Sequence, residues 1–223
     1  MSHLEIELKS LKEEIISMWK LVNTQFEKTH IALTSLDKDL AREVIAVEKR
    51  VNGAELKIDK DCENIFALFS PVAVDLRFVL AVLKINNNLE RTGDIAEGIA
   101  KFIISVDQSF DHSLLEKTRF MLMYKEVLTM LNEVLTSFEQ EDTRMARKIF
   151  ERDELLDEIN IQANAITADY IRSNPERIDQ ALYLLSIIRK LERVGDQCKN
   201  MAEELIFYVE AKVLKHAAGK SVN

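Results

Sequence analysis

The hexapeptide LERTGD at residues 89–94 returns as LERVGD at residues 191–196, so five of six residues recur at one offset of 102 positions. At average residue usage a given five-residue identity is roughly a one-in-a-million event, and only on the order of thousands of position pairs could produce it. The chain is therefore internally repeated, and its fold must present the same local chemistry twice. Only 5 Gly and 2 Pro punctuate 223 residues that are 47% hydrophobic and 30% charged. So few breakers, among abundant Leu, Ile, Ala, Glu and Lys, point to long helices rather than many short strands.

The apolar spacing gives those helices approximate limits. Leu4, Leu8, Leu11, Ile15, Met18, Val22 and Phe26 recur at threes and fours, which predicts a first amphipathic helix over 4–33. The turn at residues 34–37 offers hydroxyl and carboxylate caps to a second helix carrying Leu40, Val44, Val47, Val51, Ile58 and Ile65 and ending near Ser70. Pro71 is placed in the first turn of a third helix, whose stripe runs from Phe78 through Leu89 to Ile103. The polar stretch SVDQSFDHS at 105–113 divides the chain, and three further helices are expected over 114–139, 142–173 and 177–217, with Asn174-Pro175 in the role of Ser70-Pro71. The expected fold is all-α: two tandem three-helix bundles, six long antiparallel helices related by the repeat, with units at 1–108 and 109–223.

A net charge of −8 and a pI of about 5.2 set the molecule against phosphate backbones and anionic membranes, so nucleic acid is not an expected partner. There is no run of 18 apolar residues, which argues against membrane insertion, and the charged N-terminal segment reads as neither signal nor anchor. A cytoplasmic location is expected, and Cys62 and Cys198, far apart and outside any CxxC spacing, read as buried reduced thiols.

Within the motif, Glu90 and Asp94 are four residues apart, as are Glu192 and Asp196, so each pair turns two carboxylates to one side of a helix. About six such acid pairs would arise by chance in a chain this acidic, and one alone carries no meaning. The repetition changes that, and so do Gly93 and Gly195, each costing about 1 kcal/mol mid-helix relative to alanine. A missing side chain there implies close approach by another helix or a bound group. Further oxygen donors stand on the preceding helices: Glu48, Asn52, Glu55 and Asp59 in the second, and in the fifth Asp153 and Asp157, aligned with Glu48 and Asn52, while Asn160 and Asn164 replace Glu55 and Asp59. Both clusters flank the apolar stripes, so exposed surface sites are expected.

Oxygen-only donors select hard cations, and His3, His30, His112 and His216 stand outside the clusters. The alternative is a solvated acidic face paired with Arg91, Arg193 and Lys199. No nucleophile with its base, phosphate loop or dinucleotide fingerprint is present, so the chain does not read as an enzyme. A carboxylate-bridged di-metal oxidase would want inward ligands and ExxH motifs, which are missing.

The segment PVAVDLRFVLAVLKINNNLERTGDIAEGIAKFI, Pro71 to Ile103, resembles the signature of the PhoU phosphate-uptake regulator family. RKLERVGDQCKNMAEELIFYV resembles its second copy, and EKRVNGAELKIDKDC its second helix, so the likeness runs from about residue 5 to residue 212. It implies the two-bundle fold and multinuclear metal clusters, of iron or another hard cation such as Mn or Mg, one per repeat. The implied ligands are Glu90, Asp94, Glu55 and Asp59 in one repeat and Glu192, Asp196, Asp153 and Asp157 in the other. It also implies a non-enzymatic, homodimeric negative regulator of phosphate uptake and phosphate-starvation signalling. Its implied partners are the ATPase of the phosphate ABC transporter and the phosphate sensor histidine kinase. Asp75 and Arg77, in the family's DLR element, are expected to cap and brace the third helix. The remaining alternative is a metal-free helical scaffold.

Overall fold

The computed structural model describes residues 2–214. Among them are six long helices and one short one: α1 His3–Ser35, α2 Lys38–Phe69, α3 Ala73–Ser105, α4 His112–Lys117, α5 Phe120–Gln140, α6 Thr143–Ser173 and α7 Ile178–Glu210. The all-α tandem architecture expected from the repeat is the one observed.

The two halves make their first hairpin in the same way. Leu36 and Glu141 both adopt the left-handed conformation that ends α1 and α5. The next residue is in each case an N-cap aspartate, Asp37 accepting from the amides of Asp39 and Leu40, Asp142 from those of Arg144 and Met145. A turn this short forces the flanking helices antiparallel, and α1 packs on α2 as α5 packs on α6. The last helices of the two halves, α3 and α7, pack on each other through the middle of the molecule.

Four local expectations are corrected. The helix expected over 114–139 is broken at Thr118-Arg119: Thr118 returns its hydroxyl to the Leu114 carbonyl and Arg119 is left-handed. The break lets Leu114 and Phe120 both enter the core. Pro71 precedes α3 rather than opening it, because extended Val72 is the N-cap and Ala73 the first helical residue, whereas Pro175 does start a 3-10 turn, Pro175–Arg177. The last helix ends at Glu210, where Ala211 turns left-handed, short of the expected 217; residues 215–217 and His216 lie outside the described residues. Arg77 does not pair with Asp75. Its Nε donates to the Tyr208 carbonyl at 3.2 Å, tying the start of α3 to the end of α7.

Buried side chains of both halves form one continuous apolar cluster. Trp19 of α1 meets Phe138 of α5 with ring centroids 5.5 Å apart, and Tyr124 donates its hydroxyl to the Phe26 carbonyl. Cys62 and Cys198 are free and fully buried, and burial pushes the Cys62 thiol up to about 12, which leaves it unreactive near neutrality. Among the described residues no helix is long and apolar enough to cross a membrane.

Candidate functional site

Two glycines locate the site. A Cβ on Gly93 would lie 2.9 Å from Glu48 Oε2, 3.2 Å from Val51 Cγ1 and 3.3 Å from Gln25 Oε1. At Gly195 a Cβ would lie 2.7 Å from Asp153 Oδ1 and 2.8 Å from Leu156 Cδ2. Each mid-helix glycine therefore makes room for a carboxylate from the preceding helix, and that contact pairs Glu48 with Asp153 as equivalents in the repeat. The exposed-surface expectation holds only for the outer acids. Glu48 is 4% exposed and Asp153 3%, because the helix packing that requires the glycine also covers the acid opposite it.

In the first cluster Glu48 Oε2 accepts from Gln25 Nε2 at 2.8 Å, while Glu48 Oε1 and Gln25 Oε1 are buried with no hydrogen-bond partner among the described residues. Burial pushes the Glu48 carboxyl up to about 7 against the opposing Gln25 bond, and the charges of Asp94, Glu97 and Glu90 add to the rise. Glu55 and Glu90 are raised too, first by burial and then by neighbouring acids that include Asp94 for both. Asp59 is held differently: buried Asn86 donates to its Oδ1 at 2.9 Å and to the Glu55 carbonyl at 3.0 Å. Among the described residues no lysine or arginine forms a salt bridge with Glu48, Glu55, Asp59, Glu90 or Asp94.

The second cluster carries its own cation. Lys199 Nζ is hydrogen-bonded to Asp153 Oδ2 and lies 3.0 Å from Asp196 Oδ1. Burial raises the Asp153 carboxyl while Lys199 pulls it down; the lysine, despite its own burial, is held protonated by Asp153 and Asp196. Glu192 is raised by burial and then by Asp196, Asp157 and Asp153, so all four expected ligands share one neighbourhood. Of the amides that replace Glu55 and Asp59, Asn164 accepts from Arg189 Nη2 at 2.8 Å, and Asn160 Oδ1, like Asp153 Oδ1, is buried without a partner among the described residues.

A family model described as the PhoU domain matches residues 15–103 and 120–205. The chain belongs to the PhoU family. It is 34% identical over 210 residues to the phosphate-specific transport system accessory protein PhoU homolog of Aquifex aeolicus, covering 94% of each chain. It is 30% identical over 217 residues to the phosphate-specific transport system accessory protein PhoU of Escherichia coli, covering 97% of this chain and 89% of that one. The fold superposes on the crystal structure of PhoU from Pseudomonas aeruginosa with a TM-score of 0.86 at 28% identity, covering 94% of this chain and all of that one. The phosphate transport system regulatory protein PhoU of Streptococcus pneumoniae gives a TM-score of 0.82 at 28% identity.

Does this PhoU-family chain offer a metal ion a fit? The first cluster does so chemically: its donors are all hard oxygens, and one oxygen of nearly buried Glu48 lacks any donor. Burial first, and then the neighbouring acids, raise its carboxyls, with Arg91 opposing the rise at Glu90. Among the described residues no three of the carboxylates converge on one point as they stand, so side chains of the outer acids would have to turn inward to share an ion. Glu48 belongs to this donor set and was left out of the ligands expected from sequence. The signal that could have included it is its match to Asp153 across the repeat.

Proposed function

We propose that this PhoU-family chain is an accessory protein of a phosphate transport system, restraining uptake and phosphate-starvation signalling when phosphate is plentiful. The observation that carries this reading is the likeness, along nearly the whole chain, to relatives named phosphate-specific transport system accessory protein PhoU. The protein works by docking, on the transporter's ATPase and on the sensor histidine kinase, on the cytoplasmic side and as a homodimer. The tip between α2 and α3 suits such a role, leaving Leu68, Val72, Val74 and Leu76 exposed beside left-handed Ser70 and Ala73.

Hard cations, iron or manganese or magnesium, are held by the carboxylates. Glu48, Glu55, Glu90 and Asp94 serve the first cluster, with Asp59 at its edge; Asp153, Asp157, Glu192 and Asp196 form the second donor set. A bound cation supplies positive charge that lets the crowded acids ionise together and stiffens the contact between α2 and α3.

Deleting the protein in phosphate-rich medium should raise phosphate uptake and switch on phosphate-starvation genes; unchanged uptake and expression would sink the regulatory reading. Metal is tested on tag-free protein by plasma mass spectrometry against a variant carrying Glu90→Ala, Asp94→Ala, Glu192→Ala and Asp196→Ala. Stoichiometric metal lost in the still-folded variant is the expected result. Metal in neither protein, with a melting temperature indifferent to added iron, manganese and magnesium, would instead favour the metal-free scaffold.

A further inference from the structure

The repeat conserves the frame of the two clusters and exchanges the order of an acid and a lysine within it. At the motif's own offset of 102, Lys199 of α7 corresponds to Glu97 of α3, and Glu203 to Lys101. We propose that Lys199 is the built-in cation of the second cluster, so that this chain takes a metal ion at the first cluster only, where the equivalent position is Glu97. The inference rests on the metal-binding reading above and assigns the ion to one of the two sites.

Three observations carry it. The ammonium of Lys199 already bridges Asp153 and Asp196, an acid of the helix opposite and an acid of the motif, which are the two sides a metal would join. In the first cluster the corresponding acids Glu48 and Asp94 have no lysine or arginine in a salt bridge among the described residues; Glu48 Oε1 and Asp153 Oδ1 are alike buried without a donor, so the difference lies in the ammonium that Asp153 has on its other oxygen and Glu48 lacks. At the Lys199 position stands Glu97, which brings no cation to Glu48 and whose own carboxylate is paired with Lys101 at 2.6 Å. One further cation faces this region from α7, Lys190, but its ammonium is packed over Gly98 and the Phe102 ring, 5.7 Å from the ring centroid. It is not in a salt bridge with the acids.

A cation entering the second cluster must displace a charge-assisted hydrogen bond from an acid with almost no access to water. That loss weakens binding there by roughly tenfold or more relative to the first cluster.

The test uses the full chain, tag-free and stripped by chelator, titrated with manganese(II) chloride by calorimetry and followed by melting temperature. Wild type should bind one set of ions. Glu90→Gln with Asp94→Asn should abolish it, Glu192→Gln with Asp196→Asn should leave it, and Lys199→Glu should add a second set. If both double variants remove comparable shares of the bound manganese, the assignment to one cluster is overturned while metal binding itself stands. If wild type binds no manganese and, titrated in the same way, no iron and no magnesium, both readings fall. Melting in chelator decides the lysine's part without any metal: Glu97→Lys should raise the melting temperature and Lys199→Met lower it, with Lys199→Arg close to wild type. A Lys199→Met variant that melts like wild type would overturn the role given to the lysine.

Discussion

The contact of α2 with α3 and that of α6 with α7 are the same construction with different charge. Both place a glycine of the motif against an acid of the preceding helix, Gly93 under Glu48 and Gly195 under Asp153. The first leaves its acid with a single amide donor, Gln25, while the second gives it the ammonium of Lys199. The periphery diverges as well. Buried Asn86 grips Asp59 in the first half, whereas the equivalent residue of α7 is Ile188, and Asn164 turns to Arg189 at the rim. The glycine is favoured by steric need, since a Cβ there would press on the acid opposite it. How the buried charge is balanced is not fixed by the fold, so the two halves have met that need differently.

The largest expected effect tests the ion pair. Lys199→Met should lower unfolding free energy by about 3 kcal/mol, because it strands a buried carboxylate, and adding Asp153→Asn should recover most of the loss. Urea denaturation at pH 7.5 would measure both; a single variant no less stable than the double would show that Asp153 does not need the lysine.

Next comes the glycine. Gly195→Ala should cost about 2 kcal/mol, since its Cβ meets both the short, buried Asp153 and Leu156. Gly93→Ala should cost under about 1 kcal/mol, because the end of the longer Glu48 side chain can swing and alanine returns about 1 kcal/mol of helix propensity. Equal losses at the two positions would contradict the difference in how tightly the acids are held.

The comparison is sharpened by pH. Glu48 ionises at about 7 in the fold against an ordinary 4.5, so between these values the native state binds more protons than the unfolded chain. Stability of the metal-free protein should therefore fall as pH rises from 4.5 to about 7, with the full benefit present below that range and lost above it. Glu48→Gln should remove ~1 kcal/mol of that slope; the other raised acids, Glu55, Asp61, Glu90, Asp153 and Glu192, keep the remainder. Thermal melts at pH 5 and pH 7.5 that show the same gap in wild type and Glu48→Gln would exclude Glu48 as a source.

The smallest effects lie at the periphery. Asn86→Ala should lose about 1 kcal/mol through its buried bonds to Asp59 and the Glu55 carbonyl, while Arg189→Ala, at an exposed partner of Asn164, should change stability by under about 0.5 kcal/mol.

Much of this was legible in the chain. The repeated hexapeptide, the scarcity of breakers and the apolar spacing led to six long helices in two bundles, and Gly93 and Gly195 announced a close approach. What approached them was not legible, because burial of an acid depends on which residue of a neighbouring helix falls opposite the gap. Helical spacing does place Glu48 between Val44 and Val51, and Asp153 between Ile149 and Leu156, on the inward stripes, but only the register of α2 against α3 and of α6 against α7 set each opposite a glycine. The break at Thr118-Arg119 was hidden for a similar reason: nothing in FMLMYKEVL opposes a helix, and it is packing of Leu114 and Phe120 that bends the chain there.

The sequence by itself determined the helical class, the doubling and the acidic donor chemistry, since these follow from periodicity, composition and local spacing along one chain. Only the tertiary structure decided that Lys199 spans Asp153 and Asp196 while Glu48 has the Gln25 amide in place of a cation. That distinction arises between helices, where a charge of one element meets the buried carboxylate of another, and no pattern within a single helix encodes it.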